Sequence, residues 1–142
     1  MVAERILCVD DEPEMVELLR LILGRRGYEI VGVYSGQEAL ETLKGESVDL
    51  ILLDLMMPGM DGWEVVRRLR ANEATASIPV IVVTAKSQNV DRVLGLHIVK
   101  VDDYITKPFT PRELLDAVQR VLNKRGAATE SDDSALGSTE KA

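Results

Sequence analysis

Cysteine, aromatic side chains and positive charge are all scarce in this sequence. Of its 142 residues one is Cys, one Trp and one Phe, and 24 acidic residues against 17 Lys plus Arg leave a formal net charge of −7. A lone Cys8 cannot form an internal disulfide, which excludes a disulfide-built secreted scaffold and fits a reducing, cytoplasmic compartment. The acidic balance excludes a general nucleic-acid binder, because neutralising phosphates requires a basic surface. Long apolar runs are missing too. None approaches the roughly 20 residues that span a bilayer, and Ile6-Leu-Cys-Val9 runs straight into Asp10 and Asp11, so neither a membrane span nor a signal peptide is expected. There is also no Gly-rich phosphate loop, no Ser–His pair and no cluster of His or Cys ligands.

What the chain does have is apolar material, 46% of its residues, arranged in short runs. The length fits one domain. The runs are Ile6 to Val9, Glu29 to Tyr34, Val48 to Leu53, Ile78 to Val83 and the shorter Val101 to Thr106. Three are nearly continuous in Val, Ile and Leu, as strands buried on both faces of a parallel sheet read. Helical patterns lie between them. Met15, Leu18, Leu19, Ile22 and Leu23 follow helical spacing, with Pro13 in the first turn and Gly27 as a stop. Ser35-Gly-Gln-Glu38 and Thr110-Pro-Arg-Glu113 match the capping box and predict two further helix starts. Helices are also expected over 62–71 and 88–96, and the last one, with Leu114, Leu115, Val118, Val121 and Leu122 on one face, is expected to end before Gly126. Five strands alternating with five helices predict a doubly wound α/β domain with a five-stranded parallel sheet over residues 1–125. Residues 126–142 hold Glu130, Asp132, Asp133 and Glu140 against Lys141, with little apolar beyond Leu136, and read as a disordered acidic C-terminal tail.

In such folds ligands bind outside the carboxyl ends of the strands. The residues that fall there are Asp10-Asp11-Glu12 after the first strand, Asp54 into which the third runs, Val83-Thr84-Ala85 ending the fourth and Ile105-Thr106-Lys107-Pro108 ending the fifth. Crowded carboxylates repel one another and are relieved by a hard divalent cation such as Mg²⁺, which takes oxygen ligands. A site with Mg²⁺, a lysine and a hydroxyl is suited to holding a phosphoryl group. With no other nucleophile in view a carboxylate is the natural candidate, and Asp54, at the end of the most apolar strand, is best placed.

Four elements, Val9-Asp-Asp-Glu12, Leu53-Asp-Leu-Met-Met-Pro-Gly-Met-Asp-Gly62, Val83-Thr-Ala85 and Asp102-Asp-Tyr-Ile-Thr-Lys-Pro-Phe109, stand in this order. In them the sequence resembles the receiver domain of two-component response regulators, including single-domain chemotaxis-type receivers, over about residues 4–124. The resemblance implies a flavodoxin-like receiver fold and a Mg²⁺-dependent transfer of a phosphoryl group to Asp54 from the phosphohistidine of a sensor kinase or phosphotransfer protein. It implies that Asp10, Asp11, Asp54 and the Met56 carbonyl hold the metal. Lys107, Thr84 and the Ala85 N–H would bind the phosphoryl oxygens, Tyr104 with Thr84 would form the switch, and Lys107–Pro108 would be cis. Output would pass through the face made by the helix over 88–96, the fifth strand and the last helix, toward a downstream protein. Such a chain is a signalling switch rather than a turnover enzyme, and the resemblance leaves homodimer formation open.

Several of these residues also have plainer roles. Asp10 or Asp11 before Pro13 can cap the first helix, Asp61 can cap the third, and Met56, Met57 and Met60 can fill apolar gaps. Trp63 and His97 read as structural or surface residues, and Asp102 and Asp103 as solvated loop residues. The segment His97-Ile-Val-Lys-Val101 lacks the small Gly-Ala pair usual before Asp-Asp-Tyr and is about one residue longer, so the helix over 88–96 is expected to end differently or to be shifted. Two competitors to the switch stay open at this level. One is an aspartyl-phosphate hydrolase, for which Met56 stands where a second acid is wanted; the other is a pseudo-receiver that only binds partners. No room follows residue 125 for an effector domain, so the chain would act by protein contact or is a fragment of a longer regulator.

Overall fold

The structure, a computed structural model, describes residues 3–85 and 101–137. Its strands are β1 (Arg5–Val9), β2 (Glu29–Val33), β3 (Leu50–Asp54), β4 (Val80–Ala85) and β5 (Asp103–Lys107); its helices are α1 (Pro13–Gly24), α2 (Gly36–Gly45), α3 (Gly62–Ala71) and α4 (Pro111–Gly137). All strand pairs are parallel, in the order β2-β1-β3-β4-β5. The expected helix over 88–96 and the 97–100 part of the altered segment lie outside the described residues.

Alternation along the central strands explains the two layers. Leu7, Val9, Ile51, Leu53, Val80 and Val82 join Ala39 of α2 and Val65, Val66 and Leu69 of α3 in one core. Ile6, Cys8, Leu50, Leu52, Ile81 and Val83 join Leu19 and Leu23 of α1 and Leu114, Val118 and Leu122 of α4 in the other. Successive side chains point to opposite faces, so a continuous apolar run serves two cores at once. Cys8 is buried, and desolvation pushes its thiol up to about 12, which leaves it a core residue without thiolate reactivity.

The predicted starts and stops are visible as bonds. Ser35 Oγ accepts from Glu38 N–H (3.0 Å), and Thr110 and Glu113 exchange both capping-box bonds. Glu38 departs slightly from the box, accepting from Tyr34 N–H rather than from Ser35. Gly27, at φ +92°, takes the left-handed turn after α1.

Other expectations are corrected. On α1 Met15, Leu19, Ile22 and Leu23 of the expected stripe pack inward, joined by the buried Val16, and only Leu18 of that stripe faces solvent, at 41% exposure. Spacing alone does not fix the edge of the stripe on a helix this apolar, and contact with the sheet does. α4 carries its helical backbone past Gly126, where the sequence predicts its end, to Gly137. A single glycine costs a helix only about 1 kcal/mol, and Ala127, Ala128 and Glu130 favour helix.

Candidate functional site

Strand register assembles the site. Val9 pairs with Leu53, so Asp10 follows beside Asp54; Asp54 pairs with Val83, and Thr84 and Ala85 pair with Thr106 and Lys107. Asp10 and Asp54 therefore stand level at the carboxyl edge of the sheet, with Thr84 one position and Ala85 and Lys107 two positions further out. Asp10 (2% exposed), Asp54 (6%) and Thr84 (0%) are buried there among apolar strand ends.

One carboxylate oxygen from each of Asp10, Asp11 and Asp54 lies within 4.8 Å of the other two. Lys107 reaches over these acids: its Nζ donates to Asp10 Oδ2 at 2.8 Å and stands 3.8 Å from both Asp54 Oδ2 and Glu12 Oε1. Asp10 Oδ1 accepts from Glu12 N–H, so both Asp10 oxygens are held, and the capping role considered for Asp10 becomes this local turn before Pro13. Asp54 Oδ1 accepts from Met56 N–H at 3.1 Å, while its Oδ2 faces the ammonium beyond hydrogen-bond reach.

Electrostatics follow from this crowding. Burial, with Asp10 and Asp11 close by, pushes the Asp54 carboxyl up to about 6, against the pull of Lys107 and the Met56 N–H. Burial alone would lower the Lys107 ammonium, but its hydrogen bond to Asp10 and the charges of Asp10, Asp54 and Glu12 raise it above its ordinary value. Three acids facing one lysine leave an excess of negative charge. An oxygen-rich, negatively charged pocket of this kind suits a hard divalent cation.

Of the remaining expected residues, Met56 has its side chain 62% exposed at the rim, and Tyr104 is 40% exposed on β5. The Lys107–Pro108 peptide is cis. Asp61 caps α3 by accepting from Glu64 N–H. Of Asp102 and Asp103, read from sequence as solvated loop residues, Asp102 does lie exposed ahead of β5, whereas Asp103 is part of the strand, and both have partners. Asp102 Oδ2 accepts from Val80 N–H and lies 3.6 Å from Arg70, and Asp103, the first residue of β5, accepts from Arg120 on α4 at 2.7 Å. Glu12 joins the charge cluster around Lys107 although sequence reasoning assigned it no role; its place directly after two site acids was the available signal.

The family profile of the response regulator receiver domain matches residues 6–119. The chain belongs to that family. It is 44% identical over 126 residues to the phosphate regulon transcriptional regulatory protein PhoB of Pseudomonas aeruginosa, covering 89% of this chain and 55% of that protein. It is 42% identical over 130 residues to the alkaline phosphatase synthesis transcriptional regulatory protein PhoP of Bacillus subtilis, covering 92% and 53%. The chain thus spans about half the length of these regulators. Among solved structures, chemotaxis protein CheY4 of Vibrio cholerae superposes with a TM-score of 0.80 at 28% identity, over 84% of this chain and 99% of that one. The receiver domain of sensor histidine kinase PA1611 from Pseudomonas aeruginosa, solved with a magnesium ion coordinated in its active-site cleft, superposes at 0.78 with 31% identity, over 86% and 99%. The chain is therefore a two-component receiver, a signalling module of the kind that works with histidine kinases or phosphotransfer proteins. Among the described residues no helix is long and apolar enough to cross a membrane.

Proposed function

We propose that this receiver is switched by phosphorylation of Asp54, with a phosphohistidine of a sensor kinase or phosphotransfer protein as donor and Mg²⁺ as cofactor. The observation that carries the reading is the meeting of one carboxylate oxygen from each of Asp10, Asp11 and Asp54 within 4.8 Å under the Lys107 ammonium. Asp10, Asp11 and Asp54 supply hard oxygen donors that fit Mg²⁺, with the Met56 carbonyl as the further ligand the family implies. When bound, the ion supplies positive charge that offsets the negative charge of the transferring phosphoryl oxygens.

The chain's own residues do the rest. An Asp54 carboxylate oxygen forms the new P–O bond as the P–N bond of the donor breaks and its electron pair returns to the imidazole. The Met56 N–H on Oδ1 fixes the carboxylate's rotation and favours Oδ2 as the attacking atom. Lys107, Thr84 and the Ala85 N–H, aligned by the β4–β5 register, would receive the phosphoryl oxygens. Thr84 and Tyr104 would then form the switch: Thr84 is drawn to the phosphoryl group, and Tyr104, now on the surface of β5, turns inward. The chain thereby catalyses only its own phosphoryl transfer and loss. Residues 1–125 form the receiver unit and 126–142 an acidic appendage, and the output is a change in contact with a downstream protein. Cytoplasmic placement belongs to the same reading, supported by the single, unreactive Cys8.

Incubation with Mg²⁺ and acetyl phosphate is expected to add one phosphoryl mass, lost in Asp54→Asn. The same adduct in that variant would overturn the assignment. Absence of any adduct, together with no saturable Mg²⁺ response, would favour a module that only binds partners.

A further inference from the structure

Gly62 opens α3 on the side where β3 ends. A Cβ built there would lie 2.7 Å from the Asp54 carbonyl oxygen and 2.7 Å from Leu55 Cα, with Leu55 Cδ2 at 3.0 Å. The first two are backbone atoms, which cannot rotate away as a side-chain end can. The Gly62 N–H donates to the Leu55 carbonyl at 2.9 Å, in the peptide that links Leu55 to Met56, so the start of α3 is seated on the Asp54-Leu55-Met56 backbone. Asp61 caps the same helix through Glu64 N–H, which fixes how α3 enters this contact. Immediately beyond, Met56 N–H holds Asp54 Oδ1.

We infer that Gly62 is a positioning residue for the metal site: its bare Cα sets where the Asp54-Leu55-Met56 backbone stands relative to Asp10 and Asp11. The inference rests on the Mg²⁺ reading above. Asp10 and Asp11 belong to the end of β1 and do not follow α3. A methyl group at position 62 forces α3 and the end of β3 apart by several tenths of an ångström, which moves the Asp54 side of the pocket and leaves the β1 side in place. Metal ligands tolerate such displacement poorly, and disturbing the groups that orient them typically weakens metal affinity about 10- to 100-fold.

The test compares Gly62→Ala with Gly32→Ala. At Gly32 an added Cβ also clashes, at 2.5 Å from Val16 Cγ1 and 3.0 Å from Arg20 Nη2, but against side chains of α1, and Gly32 pairs with Cys8 rather than with the β3 end. Mg²⁺ affinity of the full chain is measured by calorimetric titration, with thermal melting and the metal-free Met56 amide resonance recorded alongside. Expected are a Mg²⁺ Kd at least about tenfold weaker in Gly62→Ala, a shifted Met56 amide, and a Kd within about twofold of the parent in Gly32→Ala. Affinity in Gly62→Ala within about threefold of the parent, or an equal loss in Gly32→Ala, overturns the inference. If Gly62→Ala does not fold, amide exchange in the parent chain decides: protection of the Gly62 N–H comparable to β3 supports the seating, and exchange at an open-loop rate refutes it. A parent chain that binds no Mg²⁺ refutes instead the function reading on which this rests.

Discussion

Replacing Asp54 by Asn is expected to stabilise the metal-free protein at neutral pH. The carboxyl is 8% exposed and sits beside two other acids, and its pKa stands at about 6 against an ordinary 3.8. The native state therefore holds more protons than the unfolded chain between about pH 4 and 6, so Asp54 removes stability as pH rises through that window, and the full penalty is present above it. At about 1.4 kcal/mol per pH unit the penalty reaches about 3 kcal/mol, and allowing for the desolvation of the amide itself leaves about 1–3 kcal/mol. Asn keeps the shape and the acceptor for Met56 N–H, so little else is lost. Thermal melts in EDTA should show Asp54→Asn melting above the parent at pH 7.5, by roughly 3–5 °C per kcal/mol for a domain of this size. The gap should narrow toward pH 4, where the parent carboxyl is already neutral. It should also narrow at pH 7.5 with Mg²⁺, which stabilises the parent more by binding its native state. A variant melting at or below the parent at pH 7.5 in EDTA, or a gap that widens on acidification, would refute the electrostatic reasoning.

Other expectations follow from the same geometry. Lys107→Ala strips Asp10, 2% exposed, of its 2.8 Å partner and should lower urea-unfolding stability by about 3 kcal/mol; an unchanged midpoint would show that the pair contributes nothing. Mg²⁺ affinity should weaken about tenfold at pH 5 relative to pH 7.5 as Asp54 protonates, read by Trp63 fluorescence or calorimetry. Asp102→Ala leaves Val80 N–H without its acceptor and should cost about 1–2 kcal/mol in denaturant melts without altering phosphoryl uptake. Leu52→Ala, at a position 1% exposed between the two helical layers, should cost about 2–5 kcal/mol.

How far the site was legible depends on the range of the interaction involved. Asp10, Asp54, Thr84 and Lys107 could be picked out because each directly follows or ends an apolar run, and the parallel α/β rule puts those ends at one edge. Their pairing could not be read in the same way. Lys107 bonds to Asp10 across the sheet and only approaches Asp54, a choice set by strand order and side-chain reach. The bonds of the exposed Asp102 could not be read either, because its partners, Val80 and Arg70, lie 22 and 32 positions away in the chain. The role inferred for Gly62 was hidden for a related reason. A glycine before a helix reads as a cap neighbour until the backbone against which it packs is known.

The sequence by itself determined the order of the described elements, the helix starts at Ser35 and Thr110, the doubly wound class and the gathering of acids at the carboxyl edge of the sheet. These depend on apolar periodicity and on bonds between residues a few positions apart, which any chain segment carries with it. Only the tertiary structure decided that Val16 and not Leu18 of α1 faces the sheet, that Tyr104 stands on the surface, and how closely α3 seats on the end of β3. Those outcomes depend on contacts between elements far apart in sequence, where several local solutions are nearly equal in energy and packing selects one.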